Sequence, residues 1–171
     1  MKLSTTSLRV LALASSFLLA RTPAAAQDVC GGSAIVADVA FVSITQGGVQ
    51  HLSLHVPPDE SQIPWHLIGS MSGTHPGSAY FASGGLYLNQ DRYMNLMATG
   101  HSPLVQGGTA EAYGVLVPFD TQGNARLRVV VPPGVYPALV GRTVRHGFYR
   151  FSSLTLLPYC GSNTVPLTFA P

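Results

Sequence analysis

Charge is scarce in this 171-residue chain: Lys, Arg, Asp and Glu together make up 9%, against about a quarter in an ordinary soluble domain. With 46% hydrophobic residues beside it, that composition excludes a disordered chain, which is more charged and less apolar. Lysine is represented only by Lys2. Past the N-terminal segment there is none, which excludes Schiff-base catalysis and the lysine of a phosphate-binding loop. Long hydrophobic runs are missing as well. No stretch after the N-terminal segment reaches 18 consecutive apolar residues, so no membrane span is expected. Cysteine occurs twice, at Cys30 and Cys160, without a CxxC pair. Two cysteines alone do not build a zinc site, and neither a metal nor a cofactor is expected.

Residues 1–26 read as a secretory signal peptide. Lys2 and Arg9 supply a positive start, Val10 to Ala20 a short apolar run, and Ala24-Ala25-Ala26 a small-residue cleavage site. Cleavage before Gln27 leaves residues 27–171, expected to form one domain, secreted and either extracellular or held at the cell surface. Lys2, Arg9 and Arg21 leave with the signal. Six arginines then face seven acids, a formal balance of −1, so nucleic acid is not an expected partner. An oxidising compartment favours a Cys30–Cys160 bridge, which closes a loop of about 130 residues. Two free thiols, or a bridge to another chain, are the alternatives.

The remaining pattern is short apolar runs broken by Gly and Pro. Strands are predicted over 34–44, 49–56, 65–71, 80–89, 91–100, 113–119, 125–132, 138–157 (one long or two shorter strands) and 163–171; 91–100 also admits one turn of helix, but its aromatic and flanking turn residues favour strand. In 49–56, Leu52, Leu54 and Val56 alternate with His51, Ser53 and His55. The runs 113–119 and 125–132 read as a hairpin about the turn DTQGN, while 102–112 reads as loop. Eight or nine short strands and almost no helix predict an all-β fold, a two-sheet antiparallel β-sandwich of immunoglobulin-like or jelly-roll-like kind.

The stretch GSMSGTHPGS carries Gly69, Gly73 and Gly77 at a spacing of four. It is not a nucleophile elbow, because Met71 stands where Gly-x-Ser-x-Gly needs serine. It lacks the lysine and the helix of a phosphate loop. A strand end running into a Ser/Thr-rich turn fits it. In order, GSMSGTHPGS, LYLNQDRY, FDTQGNARLRVVVPPG, ALVGRTVRHGFYRF and SNTVPLTF resemble an uncharacterised secreted β-domain common in planctomycetes and myxobacteria. That domain shows a GSxSGTxPG-like turn, an LxLNxDxY-like strand, a DxxGxA hairpin into a VP end, then LVGxTxxHxF and SNxVPLT. The likeness covers roughly residues 65–171, with 27–64 fitting loosely. It implies a secreted β-domain, often at the C-terminal end of larger extracellular proteins, and assigns no catalytic residues.

Candidate chemistry is thin. His51 and His55 share a strand face but stand roughly 13 Å apart, too far to share one metal ion. No serine carries an activating context. Asp59 and Glu60 diverge if extended, and the other acids lie mostly in loops, which disfavours the facing carboxylates of a glycosidase. Asp120 to Asn124 holds an acid and an amide that suit calcium, but a turn needs no ion there. Arginines offer more. Arg126 and Arg128 share one strand face, and Arg142, Arg145 and Arg150 follow on a later strand. If those strands are neighbours, the arginines make one patch, with Trp65 and Tyr149 near it, suited to bidentate contact with carboxylates. The expected function is a non-catalytic extracellular module that binds anionic polysaccharide or an envelope protein. A small secreted hydrolase and a passive terminal or assembly domain, binding along a sheet edge, are the alternatives.

Overall fold

The computed structural model describes residues 31–75, 77, 86–101, 104–151 and 158–171. These form two packed sheets, as the strand pattern predicts. The first has four antiparallel strands in the order β1 (Ala34–Ala37), β3 (Gly48–His55), β8 (Asn124–Val131) and β5 (Val105–Gln106). The second runs β2 (Phe41–Ser43), β11 (Val165–Ala170), β9 (Thr143–Phe151), β4 (His66–Ser70), β7 (Gly114–Leu116) and β6 (Thr109–Glu111), with β10 (Pro158–Gly161) also paired to β9. All its pairs are antiparallel except the parallel pair β2–β11.

Period-2 alternation builds the core. Leu52 and Leu54 of β3 and Leu127, Val129 and Val131 of β8 are buried from the first sheet. Leu67, Val115, Val144, Phe148, Leu167 and Phe169 are buried from the second. The faces meet at Gly108, where a Cβ would press on Val115 from one sheet and Leu127 from the other. Each such side chain stabilises the fold by about 1.5–3 kcal/mol. No helix among the described residues is long and apolar enough to cross a membrane.

Four expectations are corrected. The run 34–44 is two strands, one in each sheet. It breaks at Asp38, whose Oδ1 accepts from His51 N at 2.8 Å while the chain crosses over. The 113–119/125–132 hairpin does not form: β7 lies in the second sheet and β8 in the first. Val117 N–H donates to Trp65 O, and Phe119 packs edge-on against Trp65 and tilted against Phe148, which keeps that segment with β4. The turn at 120–124 is real, with Asp120 Oδ1 accepting from Gln122 N and Asn124 N, but it carries the chain between sheets. There Gly123 has φ +77, and a Cβ would sit 1.9 Å from Val56 O. The loop predicted over 102–112 contains β5 and β6. Finally, 91–100 is not a strand but carries helix α1 (Arg92–Ala98). Asp91 caps it through Oδ1 to Met94 N, and Tyr93, Met94 and Met97 form its buried side. Most of the strand predicted at 80–89 lies outside the described residues.

Candidate functional site

The outer face of the first sheet is polar by register. Arg126 and Arg128 alternate with buried Ala125, Leu127 and Val129 and stand exposed. Ser53 of β3 lies opposite Arg126, and His51 opposite Arg128. On the other side, Gln106 of β5 lies opposite Arg128 and accepts from its Nη2 at 3.4 Å. His51 Nδ1 meets Asp38 Oδ2 at 2.8 Å, and His55 Nδ1 meets Asn124 Oδ1 at 3.0 Å. Among the described residues no ion pair or hydrogen bond engages the Arg126 guanidinium. A groove of about 340 Å³ runs over this face, lined by His51, Ser53, Gln106, Gly107, Arg126 and Arg128. A second, of about 510 Å³, adjoins it along Ser53, Pro118, Asp120, Asn124 and Arg126.

The other expected members are elsewhere. Arg142 is exposed just before β9, and Arg145 is half-buried within it. Because β9 belongs to the second sheet, the single arginine patch does not form. Arg150 is committed internally: it pairs with Glu60 at 3.3 Å and lies over the rings of Trp65 and Tyr159. Trp65 is fully buried, its Nε1–H donating to Glu60 O at 3.3 Å. Tyr149 is 1% exposed, and its hydroxyl donates to Tyr113 O. Trp65, immediately before β4, and Tyr149, within β9, are therefore buried side chains and not exposed members of an arginine patch. Cys160 is buried on β10 and no described cysteine is free, while Cys30 lies outside the described residues.

The serine-rich turn is held by two side chains of LYLNQDRY. Asp91 Oδ2 accepts from Ser70 Oγ at 2.9 Å, Met71 N at 2.6 Å, Ser72 N at 2.8 Å and Ser72 Oγ at 3.0 Å. Burial alone would raise the Asp91 carboxyl. Hydrogen bonds from Met94 N, Ser70 and Ser72 outweigh that and hold it below the usual aspartate range. Asn89 donates to Ser72 O and His75 O and accepts from Gly77 N. Two residues past Asp91, Tyr93 Oη meets His146 Nε2 at 3.0 Å in a fully buried contact. Gly69 makes room for it: a Cβ there would lie 2.7 Å from both rings. Burial pushes the His146 pKa down to about 4. Asn163 clamps β1 across the sheets, accepting from Ile35 N and donating to Ile35 O, both at 2.9 Å. The described part of the glycine-spaced stretch is thus the end of β4 running into a clamped turn.

One cluster has no counterpart in the sequence reading. His66 on β4 is opposite Tyr149 on β9, and its ring also packs near Phe151. His66 Nε2 stands 3.7 Å from Glu111 Oε2, and Nδ1 is buried without a partner among the described residues. Burial lowers the His66 pKa and Glu111 opposes this, leaving it below 6.5 and the ring neutral near pH 7. Beside it, Tyr113 has φ +79, a conformation that costs a non-glycine residue about 1–3 kcal/mol. Its N–H donates to Ala98 O at 2.7 Å and its carbonyl accepts from Tyr149. The sequence signal was a tyrosine in the two-residue link between two strands, where turn chemistry asks for glycine. Among the described residues no three His, Cys, Asp or Glu side chains group to hold a metal ion.

The chain matches no family model, no curated protein and no solved structure.

Proposed function

We propose that residues 27–171 form a secreted, non-catalytic β-sandwich module that binds an anionic extracellular polysaccharide across the outer face of the first sheet. The observation that carries this reading is the Arg126–Arg128 pair. Two exposed guanidinium groups project from alternate positions of one strand, roughly 7 Å apart. They flank a groove whose lining also includes Ser53, Gln106 and His51, side chains able to bond hydroxyls. Guanidinium forks match carboxylates bidentately, and at an exposed site their planar geometry favours a repeating acidic polymer over a single small anion. The reading fits the signal-like N-terminus and the resemblance to a secreted β-domain. A Cys30–Cys160 bridge belongs to the same proposal.

Retention of the 27–171 chain on immobilised polygalacturonate, alginate and cellulose, at low and high salt, tests this. The wild type is expected on the acidic matrices alone, released by salt, with Arg126→Ala/Arg128→Ala weakening retention about tenfold or more. Salt-independent retention, an unaffected double variant, or no retention on either acidic matrix would overturn it. Capture of an envelope protein instead would transfer the face to that partner.

A further inference from the structure

The second sheet carries a separate constellation that the anion-binding reading leaves unused. His66, Tyr149 and Phe151 share its outer face, the side away from Leu67 and Phe148. Glu111 reaches the same side from β6, across Gly114 of β7. A Cβ at Gly114 would meet Leu67 O at 2.5 Å and His66 Cβ at 3.4 Å, so bare backbone passes beneath the gap between acid and imidazole. Tyr113, 55% exposed, stands beside it edge-on to Phe151, with ring centroids 5.0 Å apart and planes at 76°.

We infer that Glu111, His66, Tyr113 and Phe151 form a second binding site, whose ligand is a neutral, hydroxyl-bearing sugar ring. The 3.7 Å between His66 Nε2 and Glu111 Oε2 is too long for a direct hydrogen bond. One oxygen beside both atoms reaches each at ordinary hydrogen-bond distance. A hydroxyl suits that place, because it donates to the carboxylate while accepting from Nε2–H. His66 is 8% exposed at its side chain, so the imidazole is held rigidly and its proton is aimed by packing. The corner made by Tyr113 and Phe151 offers an apolar wall to the C–H face of a pyranose, a surface that costs little side-chain entropy to present. Glu111 supplies the charge here. It repels an acidic sugar, and a cation paired to it would leave the imidazole unused. The positive φ of Tyr113 accompanies the placing of its exposed ring against Phe151, beside the gap. The module thereby takes acidic polymer on one sheet and a neutral sugar on the other. The second site stands independently of the first.

The test is titration of the 27–171 chain, labelled with 3-fluorotyrosine, with cello-, xylo- and manno-oligosaccharides, followed by ¹⁹F NMR. At least one series is expected to shift the Tyr113 resonance saturably, with little dependence on salt. Glu111→Gln by the same shift, and Tyr113→Gly by isothermal titration calorimetry because it lacks the observed ring, each weaken binding about tenfold or more, and Arg126→Ala/Arg128→Ala leaves it unchanged. Glycine suits the backbone at position 113, so its melting temperature stays within a few degrees of wild type and separates a lost ring from a lost fold. Glu111→Gln keeps shape and packing and serves as the second variant. The inference is overturned if no series shifts Tyr113, if both variants bind like wild type, or if binding disappears in the arginine double variant.

Discussion

At the scale of the residue, His146 shows what burial does to a titratable group. Fully buried against Tyr93, with Nδ1 unpartnered among the described residues, it has its pKa pushed down to about 4 from the usual 6.5. Between those values the unfolded chain binds a proton at this position that the folded chain does not. Stability therefore rises with pH across that window and is lost as pH falls through it, by up to about 1.4 kcal/mol per pH unit for one proton. His66 shifts in the same direction and steepens the trend. Urea midpoints measured from pH 7 to pH 4 are expected to fall, and His146→Leu is expected to flatten the slope by about one proton's worth. An unchanged slope in that variant would count against the assignment. In the sequence, no residue near His146 marks it as buried or partnered. Its partner, Tyr93, is 53 residues away in the chain, a distance no local pattern spans.

At the scale of the element, Asp91 joins a helix to a turn. One carboxylate caps α1 through Met94 N and gathers the hydroxyls and amides of Ser70, Met71 and Ser72. Asp91→Ala removes the cap and strands several donors at once, with an expected cost of about 2–4 kcal/mol in denaturant unfolding. A cost near zero would mean that water replaces the carboxylate without penalty. The helix reads as strand in the sequence because its aromatic and the flanking turn residues favour strand, while the Asp91 cap and the i, i+4 pair of Tyr93 and Met97 that support a helix carry less local weight. The strands fared better: β3 and β8 alternate strictly, and their inward and outward residues were legible one by one. Arg126 and Arg128 were placed on the outer face by that alternation alone. What alternation could not supply was that β8 pairs with β3 over eight residue pairs rather than with β7 beside it in sequence. Either pairing buries the same apolar face, and the decision came from Val117 and Phe119 being held against Trp65.

At the scale of the whole molecule, the two sheets are tied across by a few long-range bonds, among them the Asn163 clamp on Ile35. The proposed Cys30–Cys160 bridge adds a covalent tie between the start of the domain and β10. Closing so long a loop is expected to stabilise the fold by about 4–5 kcal/mol. Intact mass of the unreduced 27–171 chain is expected to gain no iodoacetamide label, and reduction is expected to add two. Labelling before reduction would overturn the bridge.

Residue types and period-2 spacing by themselves determined the all-β class, the inward and outward sides of β3 and β8, the strand-into-turn character of the glycine-spaced stretch and the outward pair of arginines. All are consequences of local backbone geometry, which neighbouring residues dictate. Only the tertiary structure decided that β8 and β9 belong to different sheets, that Trp65 and Tyr149 are buried, and that His66, Glu111 and Tyr113 converge. Backbone ladder bonds are chemically alike for every strand, so they leave no mark in the sequence of which strand lies beside which. Sites made across strands inherit that silence.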